Sequence, residues 1–139
     1  MAVITKTIKT KTKGELHVAN ITDEVEKIVR ESKVNDGIAT VFVSGSTAAV
    51  TTIEYEPGLL NDFPSMLERI VPKDIAYEHE ERWHDGNGHS HVRASLVGPS
   101  LTVPFTNKQL TLGTWQQIVL VELDIRSSNR DLVVQIIGE

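Results

Sequence analysis

The sequence predicts an α+β fold, mostly antiparallel strands with about two helices beside them, in one domain spanning residues 1–139. Three observations carry this expectation. The first dozen residues, and nearly everything after His91, alternate apolar and polar positions and favour β-branched residues. Two stretches, after Thr22 and after Leu59, show helical spacing. The apolar fraction of 40% and charged fraction of 24% are ordinary for a chain with one core.

The elements follow in order. Ala2 to Lys13 alternates, with Lys6, Lys9, Lys11 and Lys13 between threonines and isoleucines, as a solvated edge strand does. Gly14 breaks it, and the lone His17 beyond reads as a surface or packing residue. Thr22 is a candidate N-cap, with Asp23 and Glu24 in the first turn, for a helix over residues 22–34 that Asn35-Asp36-Gly37 stops. Ile38–Val43 is continuously apolar and reads as a buried central strand. Ser44–Ala49 is a run of small, hydroxylated residues, equally compatible with an anion cradle and a plain connection. Val50–Tyr55 is a strand ending near Glu54, a general base or a salt-bridge partner.

A second helix begins at Asp62 or Phe63, with Pro64 in its first turn, and stops at Pro72. Asp62 there is a cap or a site residue. From His91 onward strands and turns are expected: Val92, Ala94 and Leu96 alternate, Leu101–Phe105 alternates, and Thr106–Gln109 turns. Trp115–Leu123 and Leu132–Ile137 are the last two strands.

The net charge of −5 argues against nucleic acid as a partner, because phosphate-backbone binding leans on Lys and Arg. No apolar run approaches the roughly 20 residues of a membrane helix, so no membrane partner is expected. Met1 leads straight into a strand-like segment without an apolar signal region, which makes the cytoplasm the expected location. Without cysteine, any metal must be held by His, carboxylate, amide or water.

Function concentrates in Tyr77–His91, YEHEERWHDGNGHSH. It holds His79, His84, His89 and His91, four of the five histidines, and sets Glu78, Glu80, Glu81 and Asp85 against the single Arg82. On a strand, His89 and His91 would point to one face about 6.5–7 Å apart. The Asp85–Gly88 turn would fold His79 across from a neighbouring strand. Three histidines with an open position make a catalytic-type zinc shell, so a divalent metal, zinc first, is the expected cofactor on His79, His89 and His91. His84, beside Trp83 at the turn, is given no ligand role.

The run Gly88–Phe105 (GHSHVRASLVGPSLTVPF), then Leu112-Gly113-Thr114-Trp115-Gln116 and Glu122-Leu123-Asp124, resembles the YjbQ-like family, also called UPF0047. Upstream the resemblance takes in Ser46-Thr47-Ala48-Ala49, Glu54, Asp62 and His79, and it spans residues 4–138. It implies an α+β homotrimer. Some members of the family are linked to a secondary thiamine-phosphate synthase activity, and others are described as metal-binding. By motif, Glu54, Asp62 and Asn87 are carried over as catalytic residues, and His79, His91, Trp115 and Gln116 fall on recurring positions. His89 does not recur throughout the family, so its ligand role rests on spacing. Relatives often have a histidine where this chain has Gly45, and cluster arginines after the Glu-x-Asp where only Arg126 and Arg130 remain. Those two are candidates for a phosphate group. The classes in competition are an enzyme on a small phosphorylated molecule, a non-catalytic metal- or metabolite-binding trimer, and a trimer whose histidines only stabilise an interface.

Overall fold

The computed structural model describes residues 1–139. In chain order it runs β1 (Ala2–Lys11), β2 (Val18–Asn20), α1 (Thr22–Glu31), β3 (Gly37–Val43), β4 (Ala48–Glu54), α2 (Pro57–Ile70), α3 (Glu78–Trp83), α4 (Gly88–Val97), β5 (Ser100–Thr106), β6 (Gln109–Leu110), β7 (Gln116–Glu122) and β8 (Asn129–Gly138). Five strands pair in the order β1-β8-β3-β5-β6 and three in the order β2-β7-β4, all antiparallel. The α+β reading with predominant antiparallel strands holds; four helices replace the expected two.

The three-stranded sheet is the middle layer. One face packs Val50, Ile118 and Leu120 against Val41, Val134 and Leu132 of the larger sheet. The other packs Ala49, Val119 and Val121 under Leu67 of α2 and Ala94 of α4. This is why β7 is buried from Ile118 to Glu122 without alternation. The outer face of the large sheet is bare, exposing Val3, Ile38, Phe42 and Ile137. β3 is therefore central in its sheet but buried on one face only: Ala39, Val41 and Val43 point in and Ile38 and Phe42 point out. β1 is an edge strand with its lysines exposed, as read.

Both expected helices shift. Thr22 is the first residue of α1, not its cap; the Asn20 side chain accepts the Thr22 N–H at 3.1 Å and its hydroxyl at 2.7 Å. α2 starts five residues before Asp62, because Pro57 takes the N1 place and Glu56 caps it, accepting Gly58 N–H at 2.9 Å.

The larger correction falls on residues 78–97. The expected two strands and turn are two helices, α3 and α4. A period of two in Val92, Ala94 and Leu96 is not what the burial follows: Ala94 is buried with Arg93, while Val92 and Leu96, four apart, lie exposed on one helix face.

Candidate functional site

The turn between α3 and α4 gathers ligand-type side chains. α3 ends at His84, whose left-handed φ of 55° reverses the chain. A side chain at Gly88 would stand 2.6 Å from Tyr77 Cβ, so glycine lets α4 start against α3. Glu80 reaches over from α3 and accepts the Gly88 N–H at 2.6 Å, one of the orphan donors at the start of α4.

His79 projects from α3 into this turn. Its Nε2 lies 3.2 Å from Asp85 Oδ1 and 3.1 Å from the Asn87 amide. The amide is oriented by its partners. With its nitrogen toward Asp85 it donates to Oδ1 at 2.7 Å; turned over, that nitrogen reaches only Asp124, at 3.5 Å, and the oxygen faces His79 Nε2. Ligand atoms of His79, Glu80 and Asp85 lie within 4.8 Å of one another. The His91 ring packs on His79 with centroids 4.5 Å apart and planes tilted by 50°. His91 also lines a cleft of about 200 Å³ with Gly45, Ser46, Ala48, Ala94, Ser95 and Pro99.

A buried polar network supports the turn from the sheets. Glu122, fully buried at the end of β7, is paired by Arg130 of β8 through Nε (3.0 Å) and Nη2, and by the Thr12 hydroxyl at 2.6 Å. Arg130 Nη2 also donates to Thr47 O (3.2 Å) and Oγ1 (2.9 Å), and Thr47 Oγ1 donates to Asp124 Oδ2 at 3.0 Å. Burial alone would push the Asp124 carboxyl up. The Ile125 N–H, the Thr47 hydroxyl and the Arg130 charge outweigh it and hold Asp124 below the usual carboxylate range.

The model of the family described as "UPF0047 protein YjbQ-like" matches residues 6–139. The chain belongs to the YjbQ-like family. The UPF0047 protein of Methanothermobacter thermautotrophicus is 40% identical over 139 residues, covering 100% of this chain and 95% of that one. The UPF0047 protein of Archaeoglobus fulgidus is 37% identical, covering 88% and 94%. Among solved structures, a YbjQ-like protein of unknown function from Sulfolobus solfataricus superposes with a TM-score of 0.94 at 36% identity, covering 99% of both chains. A hypothetical protein from Aeropyrum pernix gives a TM-score of 0.90 at 30% identity, over 98% of this chain and 99% of that one.

The YjbQ-like motif positions separate into two places. His79, Asn87 and His91 come together at the α3–α4 turn. His89 does not join them. On a helix, residues two apart diverge by about 200°, so His89 points inward while His91 points out. His89 Nε2 sits 2.6 Å from Glu15 Oε1, and the ring is 1% exposed. Its expected convergence with His91 depended on the strand that the chain does not form.

Glu54 lies at the far end of β4, opposite Gln116 and beside Tyr55 and Trp115 in a second cleft of about 270 Å³. Six residues of strand, about 20 Å at 3.3 Å each, separate it from Ala48 at the first site. Asp62 is exposed on α2 and makes no side-chain hydrogen bond. Arg126 is exposed and unpaired, whereas Arg130 is nine-tenths buried and already committed to Glu122 and Thr47. The sequence reading passed over Asp85 as a ligand and Glu15 as a partner. Asp85 was visible as an acid in the histidine run; nothing local to Glu15 marks its contact with His89, 74 residues away.

Proposed function

We propose that this protein holds a divalent cation at the α3–α4 turn and acts there on a small phosphorylated substrate, as a homotrimer. The observation that carries the reading is the convergence of His79 Nε2 and an Asp85 oxygen, with Glu80 in reach and the His91 ring against His79. Imidazole nitrogen with carboxylate oxygen suits zinc and its first-row neighbours, and the His91 side opens onto a cleft. A cation there would act as a Lewis acid on a substrate oxygen. The chain's own groups do the remaining work. Asn87 fixes the Asp85 carboxylate by donating to it, and Thr47 and Ile125 keep Asp124 ionised beside Asn87. His91 stands free at the cleft wall as a group able to move a proton.

The trimer is supported by the bare outer face of the five-stranded sheet. Val3, Ile137 and Ile38 stand side by side in register there, with Thr5, Gln135, Thr40 and Thr102 in the next row and no charge among them. In a closed ring the two contacting patches of a subunit differ, so the Glu54 end of one chain can meet the His79 end of the next. That would bring together motif residues that one chain holds at separate places.

The reaction that the YjbQ-like resemblance implies is thiamine-phosphate synthesis. The test is product formation by tag-free protein from a host lacking its own synthase, with His91→Ala beside it, and sedimentation to count the chains. Metal-dependent product that His91→Ala loses supports the reading. Equal rates for both proteins end the catalytic role of His91. A second reading, a non-catalytic cation- or metabolite-binding trimer, is favoured by Gly45. Its φ of +124° strains any side chain, so this backbone suits glycine and offers no acid/base group at that place.

A further inference from the structure

Three features of the loop between β3 and β4 have no use in the fold. The amide N–H groups of Gly45, Ser46 and Thr47 donate to nothing, while the neighbouring Ser44 N–H goes to Asp131 O at 3.2 Å. Arg130, nine-tenths buried behind the loop, spends Nε on Glu122 and Nη2 on Glu122 and Thr47, but its Nη1 makes no hydrogen bond. That Nη1 lies 3.0 Å from the point where a Cβ on Gly45 would stand. A side chain at residue 45 would cover the free guanidinium edge, and glycine leaves it open.

Successive unpaired N–H groups with a guanidinium behind them form a concave donor surface, which recognises anionic oxygens. Gly45 and Ser46 also share a cleft with His91, so an anion held by the loop would lie beside the proposed cation centre. We propose that Gly45, Ser46, Thr47 and Arg130 form an anion subsite that takes the phosphoryl group of the substrate. This rests on the phosphorylated-substrate reading for its occupant, but the subsite itself stands on donors alone. Two carboxylates belong to the same network. Glu122 is paired with Arg130, and Asp124 accepts from Thr47 Oγ1 and the Ile125 N–H. Their charge limits the pull on free phosphate, so binding is weak and directed by geometry. The buried Arg130, not the exposed Arg126, is the arginine of this subsite.

The experiment is an amide-resolved NMR titration of the full chain with inorganic phosphate. EDTA is present so that no cation contributes, and chloride at matched ionic strength is the control. The expected result is saturable shifts centred on the Gly45, Ser46 and Thr47 amides and the Arg130 guanidinium. A Glu122→Gln/Arg130→Gln double variant, which removes both buried charges together, should bind about tenfold more weakly, the scale of losing one or two charge-assisted hydrogen bonds. No shift at residues 45–47, or shifts confined to Lys6–Lys13, overturns the subsite. Unchanged binding by a folded double variant overturns the role of Arg130. If the double variant does not fold, the wild-type map alone decides. A mapped subsite in a protein that forms no thiamine phosphate keeps this inference and discards the reaction. A catalytically active protein whose loop ignores phosphate does the reverse.

Discussion

The two faces of α4 carry similar groups to opposite ends. On the inward face, His89 meets Glu15, and Arg93, 1% exposed, donates from Nε to Val71 O at 3.0 Å and from Nη2 to Glu68 at 2.8 Å. Glu15 is held in turn by Lys73 at 3.0 Å. These contacts tie α4 to the end of α2 and to the loop after β1, which is work for the fold. On the outward face, His91 has an aromatic neighbour, an open cleft and no hydrogen bond from its side chain. Two imidazoles two residues apart thus differ because a helix turns one of them into a buried, hydrogen-bonded clamp on Glu15 and the other toward solvent. The lesson is that a His-x-His spacing carries chemistry only once its secondary structure is known.

If that division is right, the largest effect belongs to Arg93. Arg93→Ala leaves Glu15 and Glu68 without a guanidinium and should cost about 3 kcal/mol, read as a lowered urea midpoint; His91→Ala should stay within about 0.5 kcal/mol of wild type. Comparable losses for both would erase the contrast between the faces. Next comes Gly45→Ala, which forces a side chain to a φ of +124° against Arg130 and should cost about 1 kcal/mol in thermal unfolding.

The inward clamp also predicts a pH dependence. Burial pushes the Glu15 carboxyl up, but hydrogen bonds from His89 and Lys73 prevail and bring it below its ordinary 4.5. A carboxyl lowered by folding contributes stability that is complete above 4.5 and is lost as pH falls through the lowered value. Urea midpoints of wild type should therefore fall more steeply below that pH than those of Glu15→Gln, and parallel curves would remove Glu15 from the account. The smallest effect is expected at Ser90, whose buried Oγ has no partner. Ser90→Ala should be neutral or slightly stabilising in the same melts; a clear loss would reveal a partner for that hydroxyl.

The sheets were readable because β-branched alternation survives in the chain. The strands from Ile38, Val50, Leu101, Trp115 and Leu132 all appear within three residues of their expected starts. The helices at 78–97 were not, because Val92, Ala94 and Leu96 mimic a strand when burial is unknown, and because Gly86 and Gly88 suggest a hairpin turn. His79, Asn87 and His91 converge anyway, since a helix–turn–helix closes the same gap that a hairpin would. Glu15 and Arg93 could not be paired from sequence, for their contact depends on how the loop after β1 docks on α4. Glu54 was correctly placed on a strand, but nothing in a sequence says that its strand runs away from the histidines.

One measurement tests the central claim most directly: zinc titration by calorimetry on metal-stripped, tag-free protein. Wild type is compared with His79→Ala/His91→Ala and with His89→Gln, each checked for folding by its melting curve. The account predicts that His79→Ala/His91→Ala abolishes binding without changing the melt, and that His89→Gln lowers the melt but still binds. Binding that survives in His79→Ala/His91→Ala, or that disappears in folded His89→Gln, would contradict it.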